Sequence, residues 1–144
     1  TIPMSKFNTG FKKIDLDKEE GELITEIDVP ELQPGEGAAY YKHAVRKAMD
    51  LAIIGVAVKI KVEDGVCTDA RIALGAVAAT PVRAPRAEEA LIGKELTDEV
   101  IVKASEEAMN SFHPISDIRA SAEYRKDMIR VFTKRAIKQA MECS

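Results

Sequence analysis

Between Leu51 and Ala78 runs an apolar alternation broken once, at Asp64-Gly65. Apolar side chains recur at every second position on both sides of the break, the signature of two strands with one buried face. Asp64-Gly65 marks the turn of a hairpin. A two-residue loop there would set Ile60 opposite Asp69 and Val58 opposite Arg71, placing charge against the apolar face. A three-residue loop, Glu63-Asp64-Gly65, instead predicts Val62 opposite Val66, Val58 opposite Ala70, Val56 opposite Ile72 and Ile54 opposite Leu74. Lys59 then faces Asp69 on the other side. Burial decides between registers, because a one-residue slip sends every side chain to the opposite face. Gly65 is expected in the left-handed region of a bulged turn.

An apolar sheet face needs a cover, and the sequence downstream of Thr80 supplies helices. Pro85 suits a first helical position, and Gly93 follows Leu91-Ile92 where that helix should stop. Thr97-Asp98-Glu99 offers a capping hydroxyl and two acids for a first turn. This second helix ends near Phe112, ahead of Pro114. Ser121 can cap a third helix, on which Tyr124, Met128, Val131, Phe132 and Ile137 fall at helical spacing. Upstream, Glu22–Val29 alternates as a strand closed by Pro30, Glu31–Gly37 reads as a loop, and Thr1–Gly21 as an extended lead-in. The whole, 1–144, reads as one α+β domain: lead-in 1–21, strands 22–80, mainly helices 81–144. A small antiparallel sheet of three to four strands is covered on one face by about three C-terminal helices.

Several function classes fall away on composition. With 46% hydrophobic and 31% charged residues the chain is ordinary for a globular domain. No apolar run approaches the length of a membrane helix. No charged region followed by an apolar one opens the sequence, so no secretory leader is expected. Cys67 and Cys143 are far apart and form no CxxC pair, which points to free thiols in a reducing cytoplasm rather than to a zinc or iron–sulfur site. Nine acids against one lysine between Asp15 and Glu36 give a net −8, and seven basic against three acidic residues from Arg119 to Ser144 give +4. The basic end lacks interleaved aromatics for base stacking, so nucleic acid is not expected as a partner.

No self-contained catalytic constellation emerges. His43 and His113 lie far apart without a metal-ligand spacing, and no serine sits in a nucleophile elbow. Gly75-Ala-Val-Ala-Ala-Thr80 is too poor in glycine to cradle a pyrophosphate. Glu88-Glu89 and Glu106-Glu107 read as solvated helix positions. Asp117, Arg119 and Arg125 read as a structural polar cluster at the start of the last helix. Arg83 and Arg86 flank a helix start, where a cation opposes the dipole, and are expected in ion pairs across a domain contact. The rings of Tyr40 and Tyr41 are expected against the sheet.

Four segments, in order, resemble the C-terminal domain of the flavin-carrying subunit of carbon monoxide dehydrogenase and xanthine dehydrogenase, the molybdenum hydroxylase family. They are Glu22–Ile27 with Pro30; Tyr41-Lys42-His-Ala-Val-Arg46 through Asp50-Leu-Ala-Ile; Ala70–Ala84 followed by Glu88-Glu89-Ala90-Leu91 and Gly93; and Ser116–Arg125 with Arg135-Ala136. The resemblance implies an oxidoreductase domain that closes one side of an FAD site without being catalytic alone. The FAD would be shared with an N-terminal FAD-binding region not found in this sequence. It further implies iron–sulfur and molybdopterin subunits as partners, with electrons passing through FAD to an external acceptor. Lys42 and Arg46 are the cofactor-binding residues it implies, matching cations near the flavin in xanthine-dehydrogenase-like proteins. No catalytic or metal-ligating residue is expected, and His43 is given no role. Two rival readings are a free-standing binding or assembly module without flavin, and an unrelated small α+β enzyme with a dispersed site.

Overall fold

The computed structural model describes residues 1–10, 13, 14, 16, 21–46 and 48–144. Parts of the lead-in fall outside these residues. Its described part is not simply extended: it holds a short helix, α1 (Met4–Phe7), and two paired strands, β1 (Asn8–Gly10) and β2 (Lys13–Ile14). The main sheet has the order β3 (Glu36–His43), β4 (Ile54–Glu63), β5 (Val66–Gly75) and β6 (Val82–Arg83), all antiparallel. Helices α2 (Pro85–Leu91), α3 (Asp98–Asn110) and α4 (Ala122–Glu142) follow, as expected. Thr97 and Ser121 cap α3 and α4, accepting from the amides of Val100 and Tyr124.

The strand expected at Glu22–Val29 is absent; residues 22–33 carry no helix or strand. The sheet begins instead at Glu36, inside the stretch read as a loop and the aromatic segment after it. The short strand β6 has no signature beyond Pro81.

The β4–β5 register also differs from expectation. The loop has two residues, Asp64 and Gly65, at φ 51° and 79°, with Glu63 opposite Val66. Positive φ at both central positions gives a turn whose twist matches its strands. A bulge follows: Val62 faces Cys67 but Lys61 faces Asp69, leaving Thr68 as the extra residue. Beyond it Ile60 faces Ala70, Val58 faces Ile72 and Val56 faces Leu74, while Lys59 faces Arg71 rather than Asp69. The expected pairing is thus wrong by two positions. Beyond the bulge this even error leaves every side chain on the face assigned to it, because burial fixes parity and not offset; Val66, expected on the apolar face, instead lies on the other, and the buried Cys67 takes its place opposite Val62. The bulge restores the parity that a two-residue turn would otherwise break.

The buried face packs Ile54, Val56, Val58, Ile60, Ala70, Ile72 and Leu74 under the helices, against Leu91, Ile101, Ile129 and Ile137. Each large aliphatic side chain taken out of water here contributes about 1.5–3 kcal/mol. Where β3 passes beneath the end of α4, Gly37 is buried. A Cβ built on it would lie 1.9 Å from the Ala140 carbonyl oxygen, so helix and strand meet backbone to backbone.

One cation crosses this layer. Arg125, in the first turn of α4, is 1% exposed. Its Nη1 donates to the carbonyls of Ile53, just before β4, and Ala76, just after β5. Its Nη2 lies 2.7 Å from Asp117 Oδ1. Asp117 also takes the Arg119 side chain and the Arg119 amide, and Arg119 reaches the Ala52 carbonyl at 3.5 Å. The cluster expected from the sequence is therefore present, and its role is to tie a helix start to two strand ends.

Two outcomes are expected. Gly65→Val should lower domain stability by about 1–2 kcal/mol, since a β-branched residue is disfavoured at positive φ. Denaturant midpoints of both proteins measure this, and equal midpoints would mean the turn is not held in that conformation. The second concerns acid. The Arg119 guanidinium first, then the Arg119 amide and Arg125, hold the Asp117 carboxyl well below the ordinary aspartate value of 3.8. Such a group adds stability in full above 3.8, and that stability is lost as pH falls below it. Asp117→Asn should therefore be less stable than the parent at neutral pH, with the gap closing below that value. A thermal-midpoint difference that stays constant from neutral pH into acid would count against the linkage.

Candidate functional site

Lys42 is the seventh residue of β3, and its neighbours alternate between two environments. Tyr41 and His43 face the helices: the Tyr41 ring stands 5.8 Å from Phe132, and His43 lies 4.9 Å from Phe132 with Nε2 hydrogen-bonded to the Tyr124 hydroxyl at 3.0 Å. His43 is thus a packing residue. Lys42 consequently points the other way, out of the domain, as its sequence context implies. Its Nζ donates to the Asp50 carbonyl at 2.7 Å. Arg46 lies in the connection between β3 and β4. Its amide donates to Asp50 Oδ2 at 2.7 Å, and its guanidinium donates to the Met49 carbonyl and lies 3.9 Å from Asp50 Oδ1. The structure brings Lys42 and Arg46 together on one residue, Asp50. The Arg46 amide, more than any other contact, holds the Asp50 carboxyl below its ordinary range. The far end of this connection is held in turn by His43, whose carbonyl accepts from Ile53, and by the Arg119 and Arg125 contacts to Ala52 and Ile53.

Among the described residues no helix covers the sheet face that carries Lys42. Its register produces rows across the strands. Lys42 sits beside Gly55 and Gly75. Next come Tyr40, Ala57, Ala73 and Arg83. Ala38, Lys59 and Arg71 follow, and then Glu36, Lys61 and Asp69. Small side chains in the second and third rows leave a shallow hollow of about 450 Å³ lined by Ala38, Tyr40, Ala57, Lys59, Arg71 and Ala73 among others. Tyr40, 64% exposed, forms one wall, its hydroxyl close over Gly55.

Charge on this face is mostly neutralised within the domain. Lys59 pairs with Glu36, Lys61 with Glu63, Arg71 with Asp69 and Arg83 with Glu88. Lys42 differs: its described partner is the Asp50 carbonyl, and among the described residues no carboxylate forms an ion pair with it.

Sequence reasoning missed part of this. Glu88, read as solvated, is 8% exposed. Its Oε1 accepts from the Ile72 amide and from Arg83, so the Arg83 ion pair lies within the domain instead of across a contact. The signal was available in Arg83 and Glu88 themselves, a cation five residues before an acid across a helix start, but only once the edge strand β6 is known. The hollow could not be read from alternation, which registers apolar residues and passes over alanine and glycine. Cys67 is buried and free, and burial pushes its thiol pKa up, as expected of an inert core cysteine. Among the described residues no three His, Cys, Asp or Glu side chains converge as a metal site. No helix of the described residues is long and apolar enough to cross a membrane.

Known proteins share this fold. A 36% identical relative over 123 residues is the glyceraldehyde dehydrogenase medium chain of Sulfolobus acidocaldarius, covering 85% of this chain and 43% of that protein. The xanthine dehydrogenase FAD-binding subunit of Escherichia coli O157:H7 is 34% identical over 142 residues, covering 97% of this chain and 48% of its own length. Carbon monoxide dehydrogenase from Hydrogenophaga pseudoflava superposes with a TM-score of 0.87 at 37% identity, over 97% of this chain and 48% of that one. The chain thus spans about half the length of the relatives it matches. The family model of the CO dehydrogenase flavoprotein C-terminal domain matches residues 39–140, from β3 to the end of α4. The chain belongs to the CO dehydrogenase flavoprotein C-terminal domain family.

Proposed function

We propose that this domain forms one wall of the FAD site in the flavoprotein subunit of a molybdenum hydroxylase-type oxidoreductase. The observation that carries the reading is Lys42: an outward cation whose described partner is a carbonyl, in the same row as Gly75 and next to Tyr40, whose ring lies over Gly55. A flat ring can approach bare backbone closely where no side chain intervenes. A nearby cation favours the anionic reduced form of such a ring. Arg46, exposed and anchored through Asp50, adds a second cation at the same end.

The fit is to the ring and not to the whole dinucleotide. The sequence has no glycine-rich loop whose amides could cradle a pyrophosphate. Those contacts belong to the FAD-binding half that such subunits carry besides this domain. The chemistry the bound flavin supplies is electron relay, from iron–sulfur clusters fed by the molybdenum centre to an external acceptor. This domain's own residues exclude water from one side of the ring, position it and bias its charge. The partners are accordingly the FAD-binding region, the iron–sulfur subunit and the molybdopterin subunit. Two free thiols, Cys67 and Cys143, support the cytoplasm as the compartment.

Purified alone, the chain is expected to be folded and colourless, because most of the dinucleotide's binding contacts are missing. One flavin per chain in such a preparation would refute the dependence on a partner. In the complete subunit, Lys42→Ala should weaken FAD retention roughly ten-fold and lower the flavin potential. The thermal midpoint should barely move, because an exposed lysine adds little to stability. Flavin content, potential and midpoint measured on the same variant decide the matter. A lowered midpoint with unchanged flavin properties would make Lys42 a structural residue.

A further inference from the structure

The connection between β3 and β4 inverts the usual order of burial. Val45 is 68% exposed, Met49 97% and Leu51 69%, whereas the Asp50 side chain is only 13% exposed. Apolar groups ordinarily turn inward and carboxylates outward. Apolar burial therefore does not set the course of these residues, and the acid is what they are folded around. Asp50 Oδ2 accepts from the Arg46 amide at 2.7 Å, four residues back, and the Leu51 and Val45 amides also stabilise the carboxylate. Backbone amides gathered on one side-chain oxygen fix a short segment much as a capping residue fixes a helix start.

The backbone is also strained where packing gains nothing from it. Met49 has φ 51°, a region that residues other than glycine, asparagine and aspartate seldom adopt, and its side chain stands in solvent. Such strain persists only where the surrounding contacts impose it. What the turn at Met49 achieves is the direction of two consecutive carbonyls. That of Met49 accepts from the Arg46 guanidinium at 3.2 Å, and that of Asp50 accepts from Lys42 Nζ at 2.7 Å. Two cations four residues apart in sequence thus end on two successive acceptors.

We infer that Asp50 is a positioning residue for the flavin site: its carboxylate holds the strained turn that aims Lys42 and Arg46. The inference rests on the flavin reading above and adds to it a residue that acts through the two cations. The charge of Asp50 has a further effect, of opposite sign. A carboxylate near the ring disfavours the anionic reduced flavin that the cations favour. Removing that charge while keeping the turn should raise the flavin potential. Losing the turn should lower it, because the cations are then free to spread into water.

The test uses the complete flavoprotein subunit carrying Asp50→Asn, Asp50→Ala or Lys42→Ala. Asn and Ala are equally uncharged, so a difference between them reports position and not charge. Asn keeps an oxygen for the Arg46 amide, and Ala keeps none. In the flavin-free subunit the Arg46 amide should exchange at least ~10-fold faster with Ala than with Asn. With FAD bound, Asp50→Asn should have a potential above the parent and retain FAD as the parent does. Asp50→Ala should have a potential below that of Asp50→Asn and lose FAD about as readily as Lys42→Ala. Equal potentials and equal retention in Asn and Ala, with Lys42→Ala altering both, would overturn this inference and leave the flavin reading standing. An Arg46 amide still protected in Asp50→Ala would overturn it too, since the turn would not depend on the carboxylate. Flavin properties untouched by Lys42→Ala would overturn the flavin reading, and this inference with it. Should Asp50→Ala not fold, Asp50→Asn still decides: a freely exchanging Arg46 amide with undiminished FAD retention would show that the turn does not govern the cations.

Discussion

Arg125 carries a positive charge at 1% exposure, and the architecture is arranged around that cost. Removing a guanidinium from water is penalised by several kcal/mol unless its protons find acceptors. Two strand ends and one carboxylate supply them: the carbonyls of Ile53 and Ala76, and Asp117. None of these acceptors is next to another in sequence, so the contact can form only when helix and sheet are already in place. Among the described residues its Nε nevertheless has no hydrogen-bond partner, and neither does the buried hydroxyl of Thr133, two turns further along the same helix. The clamp compensates the charge without satisfying every donor. Replacing Arg125 with an apolar residue would leave acceptors from three segments unmatched, an effect of about 3–5 kcal/mol for a broken buried pair.

From that clamp the rest of the candidate site is set by short steps. Arg125 holds Ile53, and Ile53 donates its amide to His43. His43 is packed against α4 through Phe132 and Tyr124, which fixes the alternation that turns Lys42 outward. Asp50 then receives both Lys42 and Arg46 within the same connection. The exposed cations are thus governed by buried contacts on the opposite side of the sheet. The other open-face cations Lys59, Lys61, Arg71 and Arg83 pair with carboxylates elsewhere on the sheet.

The α+β class, the three helices with their caps and the apolar face of the hairpin were all legible in the sequence, because each follows from local periodicity or a capping residue. Lys42 could be named only through resemblance, since its outward direction depends on β3, whose residues alternate too weakly to announce a strand. The two-position error between β4 and β5 has a clear cause. Nothing in Thr68 distinguishes a bulged residue from a paired one. Glu88 was misplaced because a carboxylate on a short helix reads as solvated unless the edge strand it serves is visible. The segment before Pro30 shows the opposite failure: its alternation reads as a strand, but a strand needs a neighbour to pair with, and among the described residues none pairs with it.

The contact between Glu88 and the Ile72 amide bears on how the sheet behaves toward other chains. On the outer side of β5, Ile72 is occupied by Glu88 and by the Ala84 amide, Ala73 and Leu74 by β6, and Cys67 by Lys94 and Gly93. Only residues 68–71 lie between these, too short a run to template a further strand. Among the described residues strand β3, at the other margin, pairs with β4 and with no other strand. A sheet with one sealed margin and one free margin can acquire a single neighbour, after which the assembly has nowhere to grow. Indefinite stacking of the kind that builds fibrils needs both margins. The Glu88 carboxylate on its seven-residue helix, together with β6 and the Gly93-Lys94 backbone, therefore closes that margin to sheet growth.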